Sequence, residues 1–297
     1  MAEVKLGVNT VELFSGDHLV LNVLADLDDL SLVEQVQRLH GELGVDLVEL
    51  PANMLVICPQ LFTERTIKAL ADYQARSGVG YTVHLPFRGL DLSSLAQPIW
   101  EASVESYREI IHRLEEELKV EHYVLHLTEA LLKQVEAKAH WGTELQGKLV
   151  EALYARAKKG LELLLETAPR EKLLVENIKN GYQKPFALAR ELELGICCDV
   201  GHLLLEGADP RRVVEDYREL IREFHFHGVV ERTQKDGRAA LQDHQAVGRS
   251  VFPVDEALDL LLADDFSGVL MIEVGTWTAA AESVQAVKEY LARKHSE

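Results

Sequence analysis

Residues Gly195–His202, with the sequence Gly-Ile-Cys-Cys-Asp-Val-Gly-His, form a short apolar run that ends abruptly in an acid, followed by glycine and histidine. A strand that is buried on both faces of a parallel sheet normally stays apolar until its turn, so packing does not explain this ending. In parallel α/β sheets the carboxyl ends of the strands are where ligands bind. The segment therefore predicts a functional position at Asp199.

Five further runs of β-branched or aromatic residues close on histidine or glutamate. These runs end at His84, at His126, at Glu176, at the pair His225 and His227, and at Glu273. A single ending of this kind is more simply explained by a buried structural histidine or a solvated carboxylate. Six such endings, each at the carboxyl end of its predicted strand, instead favour a metal site, because His, Asp and Glu are common ligands of divalent ions.

The bulk composition narrows the classes of function. The 297 residues are 47% apolar and carry a net charge of −18, so the chain can bury a large core behind an acidic surface. Such a surface repels polyanions, which disfavours nucleic acids and anionic membranes as partners. The three cysteines lack a Cys-x-x-Cys pair and no apolar run is long enough to span a membrane, so we expect reduced thiols in a cytoplasmic protein.

Strand and helix patterns alternate along the chain. Ser31–Leu43 carries apolar residues at helical spacing, and Thr63 is placed as the N-cap of the next helix. The interval Glu129–Ala168 predicts two helices separated near Gly142. Eight strands alternate with helices without a linker or a shift in composition. The sequence therefore predicts an α/β fold, a single (β/α)8 TIM barrel over residues 1–297.

The segment Val229–Phe252 interrupts this alternation. It is polar, shows no regular periodicity, and is longer than an ordinary strand-to-helix connection. In a barrel such a connection lies on the catalytic face. We therefore expect an active-site loop at about residues 229–252 that presents Asp243 and His244.

At these residues the chain resembles the xylose isomerase-like barrels, and within them the endonuclease IV type of enzyme. In that type the matching positions hold a cluster of three metal ions. The resemblance implies a first metal on His84, His126 and Glu176. It implies a second metal on Glu176, Asp199, His225 and Glu273, and a third on His202 and His244. Sugar isomerases and epimerases of the same superfamily resemble this chain only in the residues of the second metal position.

Two departures from the family pattern leave alternatives open. The family loop usually reads Asp-x-His, whereas Asp243 directly precedes His244, so the two need not bind one metal. Strand alternation sends His225 and His227 to the same side, so either can be the ligand, and position favours His225. We expect His227, Asp243 and Trp277 to contact substrate, with Trp277 able to stack on a flat molecule.

Chemistry separates the candidate functions, because this fold hosts many reactions. A single-metal sugar isomerase or epimerase needs two carboxylates as acid and base, for which Glu176 and Glu273 are placed, but it does not need the additional histidines. Hydrolysis of a phosphodiester does benefit from several ions, and we expect one to three divalent ions, zinc or manganese. An endonuclease IV-like repair enzyme would need a basic track that this acidic chain lacks. A barrel that binds a ligand without turnover is the remaining alternative.

The prediction that reconciles these points is a metal-dependent phosphodiesterase of a small soluble substrate. The segment His225–Val229 and the following Asp-His resemble the cobamide-remodelling hydrolases, which cut the phosphoribosyl linkage in the nucleotide loop of cobamides. A cobamide is therefore the candidate substrate. The sequence does not indicate an oligomeric state.

Overall fold

The structure, a computed structural model, describes residues 4–10, 30–56, 58–87, 89–127, 143–179, 181–233, 238–264, 266–294 and 296. Its strands are β1 Lys5–Asn9, β2 Leu47–Pro51, β3 Gly80–His84, β4 Val120–Leu125, β5 Leu173–Glu176, β6 Gly195–Asp199, β7 Ile221–Phe226, β8 Gly228–Thr233, β9 Ala239–Gln245 and β10 Val269–Ile272. Its α-helices are α1 Ser31–Arg38, α2 Glu64–Ser77, α3 Gln97–Glu115, α4 Thr143–Leu164, α5 Gln183–Glu191, α6 Val200–Leu205, α7 Pro210–Tyr217, α8 Val254–Leu261 and α9 Trp277–Lys294.

Within the described residues, eight strands form a closed barrel. The strand order is β1-β10-β7-β6-β5-β4-β3-β2, and every neighbouring pair is parallel. This arrangement confirms the predicted (β/α)8 barrel. The extent of the domain over all 297 residues stays a prediction, and the first of the two helices predicted in Glu129–Ala168 lies outside the described residues.

Local signals in the sequence position several helices. The hydroxyl of Thr63 accepts a hydrogen bond from the backbone N–H of Thr66, as expected of an N-cap. Gly44 adopts a left-handed conformation (φ 59°) after a π-helical turn at Leu39–Leu43 that extends α1. The π turn has no signature in the apolar spacing, so the sequence predicted one continuous helix here. No helix among the described residues is long and apolar enough to cross a membrane.

The side chains inside the barrel change from apolar to polar along the barrel axis. At the amino ends of the strands, the inward-facing side chains form two apolar clusters, Leu47 with Val269 and Met271, and Val124 with Leu174 and Cys197. Two residues further along the strands, alternation brings polar side chains into the same interior. Outward-facing residues pack against the helices in one large core, which includes Val48, Tyr81 and Phe224. The apolar clusters therefore support a polar layer that opens at the carboxyl ends.

The segment predicted as an irregular loop contains a β-hairpin. Strands β8 and β9 pair in an antiparallel two-stranded sheet outside the barrel. Most side chains of β9 are half-buried or exposed on both faces, so no alternation of apolar and polar residues marks it in the sequence. The predicted active-site loop at 229–252 therefore includes regular structure, and its strand β9 carries Asp243 and His244 to the carboxyl end of the barrel.

Candidate metal centre

The structure brings all eight residues that were predicted as metal ligands together at the carboxyl end of the barrel. They form groups whose ligand atoms lie within 4.8 Å of one another. The two strands that carry Asp199 and His225 are neighbours, with these residues in register. The eight residues are His84, His126, Glu176, Asp199, His202, His225, His244 and Glu273.

The first group consists of His84, His126 and Glu176. Nε2 of His84 lies 3.2 Å and Nε2 of His126 lies 2.9 Å from the same carboxylate oxygen, Oε2 of Glu176. Nδ1 of His84 lies 3.0 Å from the carbonyl oxygen of Leu85, which can only accept, so in the neutral ring the proton sits on Nδ1. The lone pair of His84 Nε2 therefore points at a carboxylate, and a cation between them would satisfy both.

The second group lies deeper and is centred on His225. Nδ1 of His225 lies 3.2 Å from Oε1 of Glu176 and 3.0 Å from Oε2 of Glu273. Asp199, from the neighbouring strand, completes the group. Glu176 thus presents one oxygen to each of the first two groups, an arrangement that suits a carboxylate bridging two ions.

The third group contains His202 and His244, with His227 beside them. Nδ1 of His202 lies 3.0 Å from the carbonyl oxygen of Asn177, and Nδ1 of His244 lies 3.4 Å from Oδ2 of Asp243. Both contacts assign the ring proton to Nδ1 and leave the Nε2 atoms as free donors of a lone pair. This orientation of each imidazole by an acceptor on its second nitrogen is common among metal-binding histidines.

Opposite charges packed together dominate the electrostatics of the centre. Burial raises the pKa of Glu176, but the charges of His225 and His126 outweigh it and hold that pKa well below the ordinary value. Burial lowers the pKa of His84, whereas its hydrogen bond to Glu176 and the surrounding carboxylates raise it to about 9. The pKa of Glu273 is likewise lowered, mainly by the charge of His225 acting against burial. The carboxylates are therefore ionised and attract cations.

Unsatisfied polar atoms indicate that metal ions fit this centre. Nδ1 of His126, both ring nitrogens of His225 and Oε2 of Glu273 are buried without a hydrogen-bond partner. Buried polar atoms without a hydrogen-bond partner are costly, so several of them in one cluster suit a cation that would bind them. Nitrogen and carboxylate donors together suit zinc, and the carboxylate-rich second group also suits manganese.

The sequence did not single out a layer of polar side chains directly beneath the second group. Nε2 of His225 lies 3.5 Å from Oε2 of Glu49 and 3.8 Å from Oε1 of Glu223, and both carboxylates are fully buried. Glu49 also accepts a hydrogen bond from Asn9, and Glu223 is 2.9 Å from Nδ1 of His122. Glu49 and Glu223 lie in the middle of strands, where a polar residue in a single sequence has no strand-end position to mark it.

We expect Glu49→Gln to lower the affinity of the second group for its metal by roughly 10- to 100-fold, the usual effect of losing an outer partner of a metal-bound histidine. The neutral amide removes the negative charge that lies 3.5 Å from Nε2 of His225, and this loss lowers the basicity of the ring. Competition with a chelator measures the change. Glu121→Gln, which alters a partly exposed carboxylate paired with Lys5 at 2.6 Å, is the matched control. Equal affinities in both variants would contradict the role of Glu49.

The three residues predicted to contact substrate are found in different environments. Asp243 is ion-paired with Lys179 and holds His244 through its Nδ1, so its carboxylate is engaged within the protein. Trp277 is half-buried at the start of α9, with the guanidinium of Arg38 3.8 Å from its ring centre. The remaining residue, His227, is buried against Asp199 at 3.2 Å. Their contacts with substrate stay predictions.

Comparisons with known proteins agree with this architecture. A family model described as xylose isomerase-like TIM barrel matches residues 38–292. An uncharacterized protein of Methanocaldococcus jannaschii is 25% identical over 240 residues, which cover 76% of this chain and 75% of the relative. A D-tagatose 3-epimerase-like protein of known structure superposes with a TM-score of 0.68 at 19% identity, covering 99% of each chain. Endonuclease IV from Thermus thermophilus superposes with a TM-score of 0.61 at 17% identity, covering 97% of this chain and 99% of the other.

Proposed function

Since the chain belongs to the xylose isomerase-like TIM-barrel family, a superfamily of isomerases, epimerases and endonuclease IV, we propose that it is a metal-dependent hydrolase of a phosphodiester in a small soluble substrate. The observation that carries the proposal is the set of histidines beyond the second group. His84 and His126 build a first metal position on Glu176, and His202 and His244 offer a third. A one-metal reaction has no use for these additional positions.

Several divalent ions would lower the pKa of a water molecule toward neutrality, clamp the oxygens of the phosphodiester and neutralise its charge. The protein side chains hold this arrangement in place. Glu176 fixes the spacing between the first two positions through its two oxygens, and Glu273 spans the second and third groups, with Oε1 3.8 Å from Nε2 of His244 and Oε2 3.0 Å from Nδ1 of His225. We assign the catalytic roles to Glu176 and Glu273 on this basis.

The surroundings of the centre favour a small substrate over a polymer. The chain carries 31 Lys and Arg against 49 Asp and Glu, and an acidic surface disfavours long polyanions such as DNA. The hairpin β8–β9 stands over the carboxyl end of the barrel and brings His244 to the centre, so it also restricts what can enter. The resemblance to cobamide-remodelling hydrolases makes a cobamide, with its single internal phosphodiester, the substrate that we propose.

The free and buried Cys58, Cys197 and Cys198 support a cytoplasmic location.

A second candidate, a single-metal sugar epimerase, has specific support in the second group. Glu176 and Glu273 flank His225 at 3.2 and 3.0 Å, a placement that suits an acid and base pair on either side of one ion. The structural neighbour described as D-tagatose 3-epimerase-like shares the fold. This reaction needs only the second group, so the two functions differ in their dependence on His202.

The proposal is tested by incubating the metal-loaded protein with a cobamide, a panel of ketohexoses and abasic DNA, and following the products by mass. We expect cleavage of the cobamide by the wild type, inhibition by chelators, and a large loss in His202→Ala. Epimerised ketohexose with equal rates in wild type and His202→Ala would instead establish the epimerase. Cleaved DNA with intact cobamide would show that the argument from charge is wrong, and no turnover of any substrate would favour a binding barrel.

A further inference from the structure

We infer that His227, although it lies among the third-group histidines, binds no metal and instead acts as a positioning residue that ties the hairpin β8–β9 to the ligand Asp199. The inference rests on the metal centre of the proposed function but not on the identity of the reaction. It rests on the hydrogen bonds of the two ring nitrogens of His227.

The hydrogen bonds of His227 define its tautomer. Nδ1 of His227 has two contacts: the backbone N–H of His244 donates to it at 3.0 Å, and the carbonyl oxygen of Gly228 lies farther away, at 3.5 Å. A backbone N–H can only donate, so Nδ1 must present its lone pair to it. In the neutral imidazole the proton then sits on Nε2, which lies 3.2 Å from Oδ2 of Asp199. A carboxylate can only accept, so this second contact requires the same tautomer.

With both nitrogens engaged, His227 has no lone pair left for a metal. Ligation through Nε2 would break the hydrogen bond to Asp199 and move the ring proton to Nδ1, where the backbone N–H of His244 already points. Ligation through Nδ1 would break the bond from His244. His202 and His244 differ in this respect, because each has an acceptor at Nδ1 and a free Nε2. Proximity alone therefore groups the three histidines, while hydrogen bonding separates His227 from the other two.

The packing around His227 is built for this role. The rings of His227 and His244 stack at 4.4 Å with an interplanar angle of 12°, so the hairpin strand rests on the ring as well as bonding to it. Gly201 lies directly against the ring, and a Cβ at this position would overlap the imidazole of His227. The glycine of the 195–202 segment is therefore needed for His227 to reach Asp199.

Without His227, the third metal position has fewer ligands from the protein. With His227 excluded, the described side chains offer it two imidazole nitrogens, from His202 and His244, and Oε1 of Glu273 lies 3.8 Å from Nε2 of His244. Sites that keep positions open for water or substrate are typical of catalytic rather than structural metals. The third ion would then be the one most open to the substrate phosphate, and His227 would align Asp199 through its hydrogen bond.

The test loads ¹⁵N-labelled protein with ¹¹³Cd in alkaline buffer and records metal-to-histidine couplings and long-range ¹H–¹⁵N correlations. We expect couplings from cadmium to His202 and His244, and for His227 no coupling, a protonated Nε2 and an unprotonated Nδ1. A cadmium coupling to His227 would overturn the inference. Failure to take up cadmium would count against the proposed function, and the tautomer of His227 in the same metal-free sample would still decide the inference.

Two conservative variants separate the two bonds of His227. His227→Asn places an acceptor near the former Nδ1, and His227→Gln places a donor near the former Nε2. We expect both to bind the full number of metals, with amide exchange of His244 accelerated several-fold in His227→Gln but not in His227→Asn. Loss of one metal per chain in both variants, matching His202→Ala, would show that His227 is a ligand.

Discussion

Glu176→Gln is expected to abolish hydrolysis and to empty the first two metal positions while the barrel stays folded. Oε2 of Glu176 faces both His84 and His126, and Oε1 faces His225. An amide has one neutral oxygen and one N–H₂ group, and the latter repels a cation at whichever position it faces. The loss of rate should exceed the roughly 10²- to 10³-fold that removal of a single transition-state donor costs. Metal content per chain and the rate on the cobamide measure both effects.

Glu171→Gln is the matched control for this variant. Glu171 is an exposed carboxylate just before the same strand, and it has no contact with the centre. The control should keep wild-type metal content and rate, and circular dichroism of both variants should report an intact barrel. Full metal content in Glu176→Gln would refute the bridging role of this residue.

Asp199→Asn and His202→Ala should produce different losses of metal. Oδ1 of Asp199 accepts the backbone N–H of His202 at 2.6 Å, and Oδ2 faces the rings of His202 and His227. Asp199 also belongs to the buried second group, so replacing its charge should weaken the second metal and disturb the third. His202 contributes to the third group alone, so its truncation should release one metal and leave the other two.

A chelator titration followed by elemental analysis distinguishes the two variants. We expect Asp199→Asn to lose two metals at low chelator concentration and to lose nearly all activity. His202→Ala should lose one metal, with a second and third released only at the chelator concentration that the wild type requires. Identical release curves would mean that the ligands are divided between the positions in another way.

The barrel and the convergence of the candidate ligands could be predicted because both depend on short-range patterns. Apolar runs of strand length alternate with helical spacing, which is enough for the fold. The ligands lie at the carboxyl ends of strands, so the abrupt change from apolar to polar at Asp199 or Glu176 is visible in one sequence. Convergence of these ends follows from the closed parallel sheet rather than from the sequence distance between them.

Other features depend on contacts that no short-range pattern records. Most side chains of the hairpin β8–β9 are exposed or half-buried, so its strands lack the alternation that burial imposes. Glu49 and Glu223 lie in strand interiors, and only the closed barrel shows that both face His225. The difference between His225 and His227 depends on which nitrogen of each ring meets an acceptor, and strand alternation treats the two alike.

The multi-metal centre depends most directly on the number of metal ions per chain, which elemental analysis of the purified protein measures. We predict close to three divalent ions per chain, falling to two in His202→Ala. A stoichiometry near one, unchanged in His202→Ala, would contradict the multi-metal hydrolase and favour the epimerase. A protein that purifies without metal and takes up none on dialysis against zinc or manganese would contradict the metal centre itself.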